Sequence, residues 1–397
     1  MLTSLLTIAL MLLLAMLLEP LARRLRLPFA TLLVLVGFIG SELVLLAGFD
    51  TGFRWHHFQD WILHALVPVL VFESALNLRL GALKGVWWPV LVLAVPAMLL
   101  AAAISGLVLF LGIGHELGFP LLTALITGVM LSATDPVAVV ALFKAMGAPE
   151  RLHTLLEGES LFNDATAVVA FMVLLGLAGG GDISILEAIW RFGYAFGGGI
   201  LAGAALGLLA WLGVRSLSEQ MHLAAGSVIL MLLTFHIAEH WLQVSGIVAL
   251  VVAGLIYGES CRGKGQERLL TGLWEVAAYL ANALVFLLVG VTVTWMMFAD
   301  RWLAMLIGIA AAILARSLVI YGLLPLANSL PGQQRLPLAQ RHVMMWGGLR
   351  GAVSLALALA LPVTLEGWYT AQSVVYGFAL FTLFVQAPLM PLLIRRL

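Results

Sequence analysis

Residues 157–164 read Glu157-Gly158-Glu159-Ser160-Leu161-Phe162-Asn163-Asp164 and run directly into the apolar stretch Ala165 to Ala178. A carboxylate at the centre of a bilayer costs at least ~2.5–3.5 kcal/mol. Glu159 and Asp164 therefore have to face a polar or hydrated site and not lipid. Residues four apart share a helix face, so Glu159 aligns with Asn163 and Ser160 with Asp164. Ser160 and Asp164 could offer a hydroxyl and a carboxylate to one ion. Thr134, in the stretch Ser132-Ala133-Thr134-Asp135-Pro136, could add a hydroxyl or backbone carbonyls that proline leaves without a helical partner. These are hard oxygen ligands, suited to sodium, lithium or potassium and ill suited to soft metals.

The remaining charges in apolar surroundings constrain one another. Arg316, in Ala315-Arg316-Ser317, needs a compensating acid, and by type both Glu159 and Asp164 qualify. Asp135 and Arg350 stand beside interruptions of two apolar runs, where half-helix ends carry opposite partial charges that such residues can neutralise. Glu73, after Phe72 near the end of a span, reads either as a further polar group of the site or as a carboxylate at the membrane interface. Glu42 and Glu275 have no partner evident from spacing. His236, Glu239 and His240 resemble a zinc-binding helix, but the glutamate follows the first histidine by three residues and not by one. Cys261 is the only cysteine, so neither an internal disulfide nor a multi-cysteine metal site is possible, and no cofactor is expected.

The elements that must position these groups are membrane helices. The chain of 397 residues is 63% hydrophobic and 10% charged, with a formal net charge of zero, which excludes a soluble globule and gives no reason to expect nucleic acid as a partner. About 20 mostly apolar residues cross the hydrocarbon core. Thirteen candidate spans follow, near 2–19, 28–48, 58–77, 85–112, 119–144, 150–178, 184–214, 220–240, 243–258, 270–297, 301–326, 339–361 and 371–394. The first, without a basic leader region, is expected to be retained as a span, and the short remainder after the last leaves no room for a cytoplasmic regulatory domain. Fifteen of the twenty Lys and Arg fall in loops after odd spans or at the C-terminus, and only Arg54 and Arg301 in loops after even spans. The positive-inside rule then puts the N-terminus outside and the C-terminus in the cytoplasm.

Two spans are interrupted: the fifth at Ser132 to Pro136 and the twelfth at Trp346-Gly347-Gly348-Leu349-Arg350-Gly351. Taking 1–178 and 220–397 as two halves and 179–219 as a linker helix, both breaks fall in the fifth helix of their half. The loop charges make the halves run in opposite directions. The expected fold is thus a single transmembrane domain, all-α and polytopic, with two inverted six-helix repeats whose discontinuous helices 5 and 12 cross near mid-membrane. Broken helices at matching positions of inverted repeats point to a secondary-transporter site.

With SATDPVAVVALFK (132–144), EGESLFNDATAVV (157–169), SGIVALVVAGLIYG (245–258), WEVAAYLANALVFLLVG (274–290) and WGGLRGAVSLALAL (346–359), the chain resembles the monovalent cation:proton antiporter-1 family, specifically bacterial NhaP-type sodium/proton antiporters, over essentially its whole length. The resemblance implies a homodimer in the bacterial inner membrane, in contact with its lipids. It makes Asp164 the shared cation and proton site and counts its neighbour Asn163 among the ion- and proton-binding residues. It makes Glu159 and Arg316 a structural ion pair, and assigns Thr134, Ser160 and Glu73 to the surroundings of the ion. Relatives with two adjacent aspartates tend to be electrogenic; here Asn163 cannot titrate, which implies electroneutral exchange of one Na+ or Li+ for one H+. A K+/H+ antiporter is the alternative, followed by a cation channel. An intramembrane enzyme is disfavoured because no nucleophile–base constellation is present.

Overall fold

The computed structural model describes residues 2–25, 27–46, 48, 61–113, 119–135, 143, 149–179, 184–214, 219–262, 267–327 and 336–394. Among them every extended regular element is helical and there is no strand. The helices are α1 (Leu2–Leu25), α2 (Phe29–Leu46), α3 (Ile62–Asn77), α4 (Trp87–Ile113), α5 (Leu121–Ser132), α6 (Glu150–Ala178) and α7 (Ile185–Val214). They continue with α8 (Gln220–Trp241), α9 (Gly246–Cys261), α10 (Glu267–Thr292), α11 (Trp295–Leu323), α12 (Leu338–Trp346), α13 (Ala352–Leu359) and α14 (Trp368–Ile394). Eight of these, α1, α4, α6, α7, α8, α10, α11 and α14, are long and apolar enough to cross a bilayer; α2, α3, α5 and α9 are shorter apolar helices.

Among the described residues the helix of the fifth span stops, and the twelfth span is interrupted, where the sequence suggests. α5 stops at Ser132, and Ala133 leaves it with an extended backbone (φ −65°, ψ 133°). Pro136 itself lies outside the described residues, as do Arg26, Arg54, Lys144, Arg215, Lys264, Arg335, Arg395 and Arg396 among the charges used for orientation. The twelfth span is two helices, α12 and α13, separated by Gly347 to Gly351. One boundary differs from expectation. The tenth span, expected through 297, ends at Thr292, and Thr294 is extended before α11 begins at Trp295. The apolar run is continuous there, so hydropathy gives no marker. The cue is long-range: the Glu42 carboxylate accepts the Trp295 N–H at 2.9 Å and caps the new helix.

Helices this apolar gain nothing by hiding from lipid, so they associate through close backbone approach. α2 crosses α10 at Gly37 and Gly290, where a Cβ on Gly37 would stand 2.8 Å from the Leu287 carbonyl. α4 crosses α5 at Gly106, where a Cβ would stand 2.9 Å from Leu125 Cα. Around the breaks, α4 packs on α5 and α11, α6 on α5, and α11 on α14. In a second group, α2 packs on α10, and α9 on both α3 and α7. Arg262, just past α9, ties α3 into this second group: its guanidinium donates to the carbonyls of Leu76, Asn77 and Leu78, each at 2.9 Å. These are orphan carbonyls at the end of α3, and Glu259 holds the arginine in turn at 2.6 Å. The clamp fixes the turn of α3 that carries Glu73.

Candidate functional site

Asp164 lies fourteen residues into the 29-residue helix α6, about 21 Å along its axis from Glu150 at 1.5 Å per residue. It is half-buried and lines a cavity of about 820 Å³. The lining runs from Asn77, Arg79, Glu150 and His153 at the ends of α3 and α6 to Thr134, Asp135, Ser160 and Ser354 at the helix breaks. No hydrogen bond or ion pair to another described residue engages the Asp164 carboxylate, which leaves its oxygens for whatever enters the cavity.

The two breaks meet. The Asp135 N–H donates to the Leu349 carbonyl at 2.8 Å, so the extended segments pair across the crossing. A helix that stops at Ser132 leaves carbonyls without intrahelical donors, and the neighbouring elements supply them one by one. Asn163 Nδ2 donates to Ser132 O at 3.1 Å. Ala133 O accepts from the Arg350 guanidinium and, at 2.9 Å, from Ser354 Oγ. Thr134 O accepts from Ser160 Oγ. Arg350 therefore stands at the negative end of α5, while the Asp135 side chain lies against Gly351, the residue that opens α13 at its positive end. Each break carries the charge that suits the other helix. The Arg350 guanidinium also lies 4.8 Å from the centroid of the Phe378 ring.

A side chain at position 351 has no room, because a Cβ there would fall inside van der Waals contact with the Asp135 carboxylate and its Cβ. Gly351→Ala should push Asp135 off α13 and cost about 1–3 kcal/mol by overpacking. Thermal unfolding of the purified protein in detergent checks this, with Gly272→Ala, whose Cβ would meet nothing within 4 Å, as the matched control.

Glu159 is buried and Arg316 nearly so, and the two form an ion pair between α6 and α11. Arg316 also donates to Met344 O at 3.1 Å, fixing the end of α12. Of the acids left open as partners of Arg316, the structure pairs Glu159 and leaves Asp164 to the cavity. Thr134, Ser160, Asp164 and Glu73 all line that cavity. Asn163 does not; it points to the break, bonding Ser132 O and, at 3.3 Å, Thr134 Oγ1. Glu73 accepts from Asn77 Nδ2 at 2.5 Å and shares the cavity wall with Glu157 and Glu275.

Sequence reasoning missed Ser354, although it lies one turn beyond Arg350 on the restarted helix and bonds the same carbonyl. It also missed the Arg262 clamp, whose three acceptors are more than 180 residues away and carry no side-chain signal. His236 and His240 stack at 4.6 Å, and Glu239 accepts the Gly246 N–H at 2.9 Å as a helix cap. No group of three or more potential metal ligands occurs among the described residues.

The family model described as "Sodium/hydrogen exchanger, transmembrane" matches residues 8–396. The Na(+)/H(+) antiporter ApNhaP of Aphanothece halophytica is 36% identical over 389 residues, covering 94% of this chain and 70% of that protein. The Na(+)/H(+) antiporter NhaP of Pseudomonas aeruginosa is 32% identical over 316 residues, covering 77% of this chain and 74% of that one. Among solved structures, the sodium proton antiporter MjNhaP1 of Methanocaldococcus jannaschii superposes with a TM-score of 0.82 at 20% identity, covering 100% of this chain and 99% of that chain. This last similarity speaks to the fold.

Proposed function

We infer, from the premise that this chain belongs to the sodium/hydrogen exchanger family, that it exchanges a monovalent cation, Na+ or Li+, for a proton at Asp164. The family is one of transporters and not of enzymes. The observation that carries the reading is one carboxylate without a partner among the described residues, half-way along a membrane helix, in a cavity that also reaches two crossing helix breaks.

The charges around the breaks favour a one-for-one exchange. Arg316 and Arg350 are balanced by Glu159 and Asp135. Ionised Asp164 leaves the cluster one negative charge in excess, and either a proton or a monovalent cation restores neutrality. Both loaded forms then carry the same charge and differ from the empty form, which is costly to move through a low-dielectric slab. Ser160 and Thr134 provide oxygens beside Asp164, and Glu73 stands further toward the cavity mouth. Asn163 acts from behind, by holding the broken end of α5.

Thirteen spans follow if the eight long helices, the four shorter ones and the α12–α13 pair each count as one crossing. The inverted repeat has support in packing: α2 lies on α10 as α9 lies on α3, which is the exchange expected if spans 1–6 correspond to spans 8–13. The positive-inside rule puts the N-terminus outside and the C-terminus in the cytoplasm, so the cavity mouth at Arg79 and Glu150 faces the cytoplasm. Alternating access moves the α4–α6, α11–α14 group against the rest. A homodimer in the bacterial inner membrane suits the apolar faces of α1 and α7, where Leu17, Trp190 and Leu201 are more than 65% exposed.

Purified protein in proteoliposomes loaded with a pH-sensitive dye tests the reading. Addition of Na+ or Li+ should produce a pH change whose rate is the same with the membrane potential clamped or free. Acceleration on clamping identifies an electrogenic exchanger instead; a response to K+ alone favours K+/H+ exchange; and cation conductance without pH change means a channel.

A further inference from the structure

On the side of α6 that carries Asn163 there is a second, much smaller cavity of about 20 Å³ that shares no lining residue with the large one. It lies where α4, α5, α6 and α11 meet the α12–α13 break. Four of its lining residues each carry a buried polar atom without a hydrogen-bond partner: Ser105 Oγ, Asn163 Oδ1, Arg316 Nε and Arg350 Nε. Such atoms are rare in folded proteins, and each costs about 1–3 kcal/mol if left so. Here all four residues line a single space.

Their chemistry selects the occupant. The two Nε–H groups donate, Asn163 Oδ1 accepts, and the Ser105 hydroxyl can do either. A cation is excluded by two guanidinium groups. An anion is opposed by the Asn163 carbonyl oxygen and by Glu159, which already pairs with Arg316. A small neutral molecule that accepts twice and donates twice satisfies all four atoms, and a space of this size exceeds the ~10–15 Å³ that one water needs. We propose that this cavity is a binding site for one structural water molecule, which accepts from Arg316 Nε and Arg350 Nε and donates to Asn163 Oδ1 and Ser105 Oγ.

The water then links three groups that no direct bond connects: the Glu159–Arg316 pair, the arginine at the end of α5, and the amide whose other edge holds Ser132 O and Thr134 Oγ1. It fixes the orientation of that amide, since turning Asn163 over would set an NH2 group against two guanidinium donors. The helix break beside Asp164 is thereby held from its dry side, whatever the large cavity contains.

The test is an experimental structure of the full chain at a resolution that shows ordered solvent, with one data set collected in bromide. A single peak within about 2.7–3.2 Å of at least three of the four atoms, without bromide anomalous signal, is expected. An empty cavity, or a peak that bromide labels, overturns the proposal. Millisecond X-ray hydroxyl-radical labelling provides a second measurement. Met98 lines the cavity and is 3% exposed, whereas Met390 is 0% exposed and lies elsewhere. Radiolysis of a bound water should oxidise Met98 while Met390 stays protected; equal protection of the two overturns the proposal.

Discussion

Asp164→Asn should reduce cation-driven proton exchange in everted vesicles or proteoliposomes to the level of membranes without the protein. The substitution keeps size and shape, and Asp164 makes no hydrogen bond within the described structure, so the fold has nothing to lose. On the proposed mechanism, what disappears is the group for which cation and proton compete, one that is anionic when empty. An amide offers one carbonyl oxygen and no charge to a cation entering from water, and it cannot take up a proton in this pH range. Thermal stability should therefore stay at or above that of the parent while transport vanishes. Asp164→Glu, which retains the acid but moves it by one methylene, should transport with a weakened apparent affinity. On the same mechanism, this competition sets the pH response of the unaltered protein. As pH falls the proton holds Asp164 more often, and the apparent KM for Na+ should rise by roughly tenfold per pH unit once the protonated form dominates, as mass action at one shared site requires. An Asp164→Asn variant that still gives Na+-induced pH recovery would remove this carboxylate from the mechanism.

The converse change is also informative. Asn163→Asp, by adding a second titratable group, puts a carboxylate where an amide now donates to Ser132 O. An ionised aspartate there would face that carbonyl without a proton to share, so the expected result is a destabilised break and not a simple gain of one transported charge.

The sequence exposed the membrane class and most helix limits because burial in lipid leaves the same mark on every residue of a span. It also exposed both breaks, since Pro136 and the run Gly347 to Gly351 are local departures from helix-forming composition. What it did not expose depends on pairs distant along the chain. The Arg316 partner was ambiguous between Glu159 and Asp164 because the two acids are five residues apart on α6, near enough in rise that only helix rotation decides which meets α11. The end of α10 at Thr292 was invisible for a similar reason: the residue that caps the next helix, Glu42, comes from α2. The family resemblance puts Asn163 with Asp164 at the ion site, yet consecutive residues on a helix diverge by about 100°. One faces the large cavity and the other the break.

Breaking the Glu159–Arg316 pair should give the largest loss of stability of any change at the site, and restoring neutrality should recover much of it. Arg316→Met leaves Glu159 as an uncompensated charge at 1% exposure and frees Met344 O at the end of α12. Glu159→Gln leaves the arginine facing Arg350 with less negative charge between them. Each single change should cost about 3–5 kcal/mol, the range for removing one partner of a buried pair, read as a drop in unfolding temperature and in yield from the membrane. The double variant Glu159→Met with Arg316→Met removes both desolvated charges and refills the space with side chains of similar length, which in other buried pairs is near neutral. It should therefore be more stable than either single variant. Transport then separates the two roles open to Glu159. If the glutamate only holds α6 to α11, the double variant exchanges cation for proton through Asp164 with its coupling intact and its rate reduced. If Glu159 itself carries protons or ligates the cation, the double variant folds without exchanging, and the assignment of Asp164 as the single shared site would fail with it.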